Sequence, residues 1–149
     1  MTGLIGEHEV SLDSKGRFLL PAGFKKQLVE GDDVRFVINR GIEKCLSLYP
    51  MSSWQPLAEK INALNSFNPK VREFKRLYLN GATYVELDSA GRVLLPGRLK
   101  EYAGLEKEVV IVGTGELMEI WDKEKYNELF DASTPENMGD LAAEVMGGL

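Results

Sequence analysis

A twelve-residue stretch occurs twice in this chain. Residues 10–21 read VSLDSKGRFLLP and residues 85–96 read VELDSAGRVLLP, so nine of twelve positions are identical at an offset of seventy-five residues. A match of this kind within one chain indicates an internal duplication, and a duplicated unit determines the architecture. The sequence therefore predicts two copies of one folding unit.

Each copy of the repeat has the pattern of a β-hairpin. Before the turn, apolar residues such as Val10 alternate with polar neighbours, which is typical of a half-buried strand. Asp13 and Gly16 then supply turn chemistry, because aspartate accepts bonds from nearby backbone N–H groups and glycine adopts positive φ easily. The second copy has Asp88 and Gly91 at the same positions. We assign these four polar and glycine residues to turn geometry rather than to contact with a ligand.

A basic residue follows each turn at the same position. Arg17 follows the first turn and Arg92 the second, and the first turn also contains Lys15. A guanidinium on a rigid ribbon can reach a phosphate or a base edge, so these three are candidate nucleic-acid contacts. Ser14 and Ser89 are secondary candidates. Alternatively, each arginine only pairs with the aspartate of its own turn, an exposed ion pair contributing about 0–1 kcal/mol. The sequence leaves both interpretations open.

The two turns differ in charge. Lys15 of the first turn corresponds to Ala90 of the second, so we expect the first turn to carry more of any phosphate contact. Further basic residues lie in the predicted helix at 70–76 and at Lys25 and Lys26. Solvation or contact with another subunit explains these better than nucleic-acid binding.

The hydrophobic periodicity predicts the element order β-β-α-β-β, two helices, β-β-α-β-β and a terminal helix. One such unit leaves sheet edges unpaired, whereas two packed together can close a small barrel. The predicted fold class is therefore α+β, mainly β, with two repeats in one barrel. The predicted segments are a first repeat at 5–52, a helical connector at 53–79, a second repeat at 80–124, and a C-terminal helix with an acidic tail at 125–149. From residue 133 onwards, a loose helix and disorder both remain open.

The charge of the chain is unevenly distributed. A net charge of −5 argues at first against a nucleic-acid partner. However, residues 116–149 contain nine acids and two bases, whereas residues 1–115 contain fourteen acids and sixteen bases. Because the local field governs binding, the body of the protein remains compatible with a nucleic-acid partner.

The sequence does not have the pattern of a membrane protein, a secreted protein or an enzyme. It has no apolar run of membrane-spanning length, and residues 1–11 lack the apolar region of a signal peptide. Cys45 is the only cysteine, which favours a cytoplasmic location. Cys45 has the pattern of a small core residue, and His8 is the only histidine, so we predict no metal, cofactor or small-molecule substrate.

These features resemble the MraZ family of bacterial transcriptional regulators, which is associated with the division and cell-wall gene cluster. The paired Asp-x-x-x-Arg hairpins carry most of the resemblance, which covers roughly residues 5–130. Further matching segments are Asn68-Pro69 followed by Arg72, the Arg76-Leu77 step, Lys107-Glu108-Val109 and Glu119-Ile120-Trp121-Asp122.

The resemblance implies a fold, a partner and an assembly. Each half would be a swapped-hairpin module similar to the AbrB regulators, and the halves would form a pseudo-dimer. Several chains would assemble into a ring-like homo-oligomer. The hairpin turns would bind direct repeats in double-stranded promoter DNA, including that of the protein's own operon, at the nucleoid. The alternative is a structural or protein-interaction oligomer that does not bind DNA.

Overall fold

The computed structural model describes residues 3–32 and 34–147, which contain eight strands and six helices. The strands are β1 Leu4–Ser11, β2 Arg17–Leu19, β3 Arg35–Arg40, β4 Leu46–Pro50, β5 Thr83–Glu86, β6 Arg92–Leu94, β7 Glu108–Gly115 and β8 Met118–Asp122. The helices are α1 Ala22–Lys25, α2 Met51–Asn62, α3 Pro69–Leu79, α4 Gly97–Ala103, α5 Lys123–Asp131 and α6 Pro135–Met146. The order β-β-α-β-β-α-α thus occurs twice.

The strands form one six-stranded sheet, in the order β1-β7-β8-β4-β3-β5, and one two-stranded ribbon of β2 and β6. All strand pairs are antiparallel. β1 pairs with β7 and β5 pairs with β3, so the first strand of each repeat joins the sheet of the other repeat. The predicted α+β fold of two repeats with exchanged hairpins is therefore confirmed.

An approximate two-fold axis relates the two repeats. Phe18 pairs with Val93 at the centre of the ribbon, and Ser47 pairs with Glu119 where β4 meets β8. Each pair joins equivalent positions of the two repeats, so the axis passes through both. The two repeats therefore contribute matched surfaces on either side of this axis.

One apolar core lies between the ribbon and the sheet. Phe18 and Val93 are 1% and 0% exposed and belong to the same cluster as Phe36, Leu48 and Ile111. Each fully buried side chain of this size stabilises the fold by about 1.5–3 kcal/mol. The inner face of the ribbon is thus anchored, which fixes the direction of its outer face.

The first helix is shorter than the sequence predicts. Helical periodicity extends from residue 22 to residue 29, but α1 ends at Lys25 and continues as a turn in which the Gln27 N–H donates to Phe24 O. The Gln27 side-chain amide also exchanges two hydrogen bonds with the backbone of Ile5, at 2.8 and 3.0 Å. These bonds satisfy backbone groups at the exposed edge of β1, and they are made by the segment in which the chain leaves the helical path.

Cys45 is buried, as the sequence predicts, but it lies just before β4 rather than within it. All five residues of β4 are buried. The reason is that β4 lies inside the sheet, between β8 and β3, with helix α2 packed against it.

The C-terminal segment is helical as far as it is described. Thr134 accepts a hydrogen bond from the Asn137 N–H at 3.1 Å and begins α6, and Gly147 ends it with φ 76°. Of the two alternatives left open by the sequence, the helix is present over Pro135–Met146. In the described parts of the chain, we find no helix with the length and apolar character required to cross a membrane.

Candidate nucleic-acid interface

The first turn is closed by its own backbone. The Asp13 N–H donates to Arg17 O at 2.9 Å, and the Gly16 N–H donates to Asp13 O at 3.0 Å. Gly16 has φ 81°, a conformation that residues with a Cβ rarely adopt. The Asp13 carboxylate adds bonds from the backbone N–H groups of Lys15 and Arg17, each at 2.9 Å. The turn is therefore rigid before any ligand arrives.

The second turn has the same geometry. The Asp88 N–H donates to Arg92 O at 3.0 Å, and the Gly91 N–H donates to Asp88 O at 2.9 Å. Gly91 also has φ 81°. The Asp88 carboxylate accepts from the N–H groups of Ala90 and Arg92 at 3.0 and 2.8 Å. Duplication has thus preserved the geometry of the turn as well as its sequence.

Each aspartate also binds the guanidinium that follows its turn. Arg17 Nε donates to Asp13 Oδ2 at 2.7 Å, and Arg92 Nε donates to Asp88 Oδ2 at 2.8 Å. The backbone N–H of the arginine is the main cause that lowers the pKa of each carboxyl below 3.8, and the guanidinium lowers it further. Both aspartates are therefore ionised at neutral pH.

The ion pair within the turn does not occupy the whole guanidinium. Only Nε is engaged, and the Nη groups of Arg17 and Arg92 make no hydrogen bond to any described residue. The two arginine side chains are 25% and 35% exposed. Each aspartate therefore orients a guanidinium whose Nη donors remain available to an external acceptor. The two interpretations of the arginines are thus compatible in this geometry.

The ribbon brings both arginines to one face of the protein. Arg17 pairs with Leu94 and Leu19 pairs with Arg92, on the face opposite to the buried central pair. The two leucines are 59% and 54% exposed. Diagonal neighbours of this kind have Cα atoms about 7–8 Å apart. The two arginines therefore form one patch rather than two separate sites.

The remaining predicted contact residues are also at the surface. Ser14, Lys15 and Ser89 are exposed, and their side chains make no hydrogen bond to any described residue. Two basic residues of α3 instead bind the loop before that helix. Arg72 donates to the carbonyls of Ser66 and Phe67 at 2.9 and 3.0 Å, and Lys75 donates to Ser66 Oγ at 2.9 Å.

The geometry of His8 and Cys45 is that of packed side chains. His8 packs edge-on against Phe24 at 5.0 Å. Burial raises the pKa of the Cys45 thiol to about 12, so it is protonated at neutral pH. Among residues 3–32 and 34–147, no three His, Cys, Asp or Glu side chains are grouped to hold a metal ion.

Two hairpins exchanged between halves of one chain define a protein of the AbrB-like swapped-hairpin class. The sequence model of a family described as "MraZ protein, putative antitoxin-like" matches residues 4–77 and again residues 78–146. This chain belongs to the MraZ family.

Individual relatives agree with this assignment. A transcriptional regulator MraZ from Christiangramia forsetii is 43% identical over 148 residues, 99% of this chain and 95% of that protein. One from Nitrosomonas europaea is 38% identical over 142 residues, 95% of this chain and 96% of that protein. The solution structure of PHS018 from Pyrococcus horikoshii aligns with 78% of this chain and 96% of that chain at 16% identity, with a TM-score of 0.35, a likeness too weak to define a fold.

Proposed function

We propose that this protein is a sequence-specific DNA-binding transcriptional regulator. The observation that carries the proposal is the outer face of the β2–β6 ribbon, where Arg17 and Arg92 are diagonal neighbours with unused Nη donors. Preorganised guanidinium groups match phosphate oxygens and the acceptor atoms of guanine. The relatives are named as transcriptional regulators, which supports the same function.

The family resemblance also indicates which DNA the protein binds. The protein binds direct repeats in the promoter of the division and cell-wall gene cluster, including the promoter of its own operon. It acts in the cytoplasm and is associated with the nucleoid. One arginine patch is small, so binding to repeated DNA boxes requires several patches held together, which raises the effective concentration of each contact.

We further propose that chains assemble head to tail into a ring, through helices α3 and α6. The two helices are equivalent in the repeated element order, and neither has a buried residue. Phe74 and Leu77 of α3 are 46% and 63% exposed, whereas Leu141 and Val145 of α6 are 56% and 75% exposed. Apolar helix faces of this kind favour association.

The charges of these two helices are complementary. Helix α3 carries four bases and one acid, whereas α6 carries three acids and no base. An α6 helix therefore matches the α3 helix of a second copy better than it matches another α6. Contact between different surfaces of identical chains repeats around an axis and closes into a ring if the rotation permits.

Footprinting and gel-shift titration test the proposed function. Purified protein is titrated against DNA from upstream of its own gene, against a scrambled fragment of equal length, and over a range of salt concentrations. We expect protection of repeated boxes, preference over the scrambled fragment, and affinity that falls as salt rises. Assembly without protection or salt dependence would favour the alternative function, an interaction module that does not bind DNA.

A further inference from the structure

The second turn has a lysine beside it that its own repeat does not provide. The first turn contains Lys15, whereas the second has Ala90 at that position. However, Lys25 Nζ lies 3.6 Å from the point that a Cβ on Gly91 would occupy. Around the equivalent point on Gly16, no described atom outside Gly16 and its two chain neighbours lies within 4 Å, so Lys100, which corresponds to Lys25 in the second repeat, does not approach the first turn in this way. The turn without a lysine of its own is thus the turn that Lys25 approaches.

The exchanged hairpins explain how Lys25 reaches the other repeat. The Leu20 N–H donates to Gly91 O at 3.1 Å, which holds the end of the first hairpin against the second turn. Pro21 then begins α1, and Phe24, which is 0% exposed, fixes that helix to the core. Lys25 is the next residue, so its side chain leaves the helix close to the second turn.

The ammonium of Lys25 is free to bind an external anion. Lys25 is exposed, and it forms no ion pair and no side-chain hydrogen bond with any described residue. Leu19 Cδ1 lies 3.7 Å from the same Gly91 point, so both side chains lie near the second turn.

We propose that Lys25 is the phosphate-binding lysine of the second turn and replaces the charge that Ala90 does not supply. The proposal rests on the proposed DNA-binding function. Each turn then presents one arginine and one lysine to the DNA backbone, and the two turns contribute similarly. This differs from the prediction from sequence that the first turn, with Lys15, dominates.

The test compares Lys25→Ala with Lys26→Ala, its exposed neighbour on the surface of the same segment. Dissociation constants for the upstream DNA are measured from low to moderate salt, with circular dichroism and light scattering as checks on fold and assembly. We expect Lys25→Ala to weaken binding and to reduce the salt slope by about one unit for each bound protomer. Lys15→Ala should do the same, whereas Lys26→Ala should change neither quantity.

A rescue variant tests whether Lys25 acts through its positive charge at the second turn or in some other way. Adding Ala90→Lys to Lys25→Ala returns a lysine to that turn, so we expect affinity and salt slope to recover. Equal behaviour of the Lys25 and Lys26 variants, failure of the rescue, or a change in assembly caused by Lys25→Ala would overturn the proposal. Absence of DNA binding by the wild-type protein would instead overturn the proposed function itself.

Discussion

Arg17 and Arg92 are diagonal neighbours across the β2–β6 ribbon, although seventy-five residues separate them in the chain. Each faces an exposed leucine of the other repeat and is held at Nε by the aspartate of its own turn. The arrangement combines a fixed orientation with free Nη donors. It also makes the two arginines parts of one surface, so their effects on binding should be coupled.

Replacing either arginine should abolish specific binding without unfolding the protein. Each alanine variant loses contacts that we expect to contribute about 1–3 kcal/mol to DNA binding at each turn. Arg17→Lys should also bind weakly, because lysine cannot donate to Asp13 and to DNA through one planar group. Gel shifts measure affinity, circular dichroism checks the fold, and Arg98→Ala, at an exposed site on α4, is the control. If both Arg17→Ala and Arg92→Ala bind the upstream DNA with unchanged affinity, the proposed contact between these arginines and DNA is wrong.

Stability should depend on the ionisation of the turn aspartates. The folded pKa values of Asp13 and Asp88 lie below 3.8, chiefly because of the arginine backbone N–H groups. A lowered folded pKa means that the stabilisation is complete above about pH 4 and is lost as pH falls through the folded pKa. Asp13→Asn should therefore lower the unfolding midpoint at pH 7, and the difference from wild type should shrink in acid.

The control for this experiment is Asp131→Asn. Asp131 is exposed, and its carboxylate makes no hydrogen bond to any described residue. Its replacement should leave the unfolding midpoint nearly unchanged at both pH values. A difference between wild type and Asp13→Asn that is the same in acid and at neutral pH would show that the carboxylate charge does not stabilise the turn.

Two adjacent residues of the ribbon should respond very differently to truncation. Phe18 is 1% exposed, so Phe18→Ala should destabilise the fold by about 3–5 kcal/mol through the cavity that it leaves. Leu19 is 59% exposed, so Leu19→Ala should change stability by about 0.5 kcal/mol or less. Urea unfolding measures both variants. Similar losses for the two would contradict the alternation of the ribbon between core and surface.

The exposed face of α6 should control assembly. Leu141→Ser removes an apolar side chain from the proposed contact with α3 of a neighbouring chain, so the mass measured by light scattering should decrease. Asn137→Ser, at an exposed polar position of the same helix, serves as the matched control. An unchanged mass for Leu141→Ser, with helix content preserved, would exclude this face from the interface.

The duplication made much of the fold predictable from sequence. Two matching turn signatures indicated two hairpins, and the need to pair sheet edges indicated that the copies join in one body. Strand exchange, by contrast, came from resemblance to a family, because no local pattern distinguishes β1 pairing with β7 from pairing within its own repeat. The C-terminal end of α1 lies beside a contact between Gln27 and Ile5, which are twenty-two residues apart, so local periodicity does not indicate it.

The candidate site was predictable residue by residue but not as a surface. Sequence identifies Arg17 and Arg92 as equivalent, yet only the register of β2 against β6 places them as diagonal neighbours. Lys25 could not be recognised, because its position beside Gly91 results from exchange between repeats. A comparison of Lys15 with Ala90 alone therefore predicts that the first turn is more basic than the second. The position of Lys25 beside the second turn reduces this difference in charge.

The exchange of strands makes each half of the chain depend on the other half in order to fold. Proteolytic cleavage in the loop between α2 and α3 would yield two fragments, each lacking the neighbours of its own first strand. Neither fragment should fold alone, but the mixture should reassemble, as complementing fragments do. The arginine patch would then exist only in the reconstituted pair.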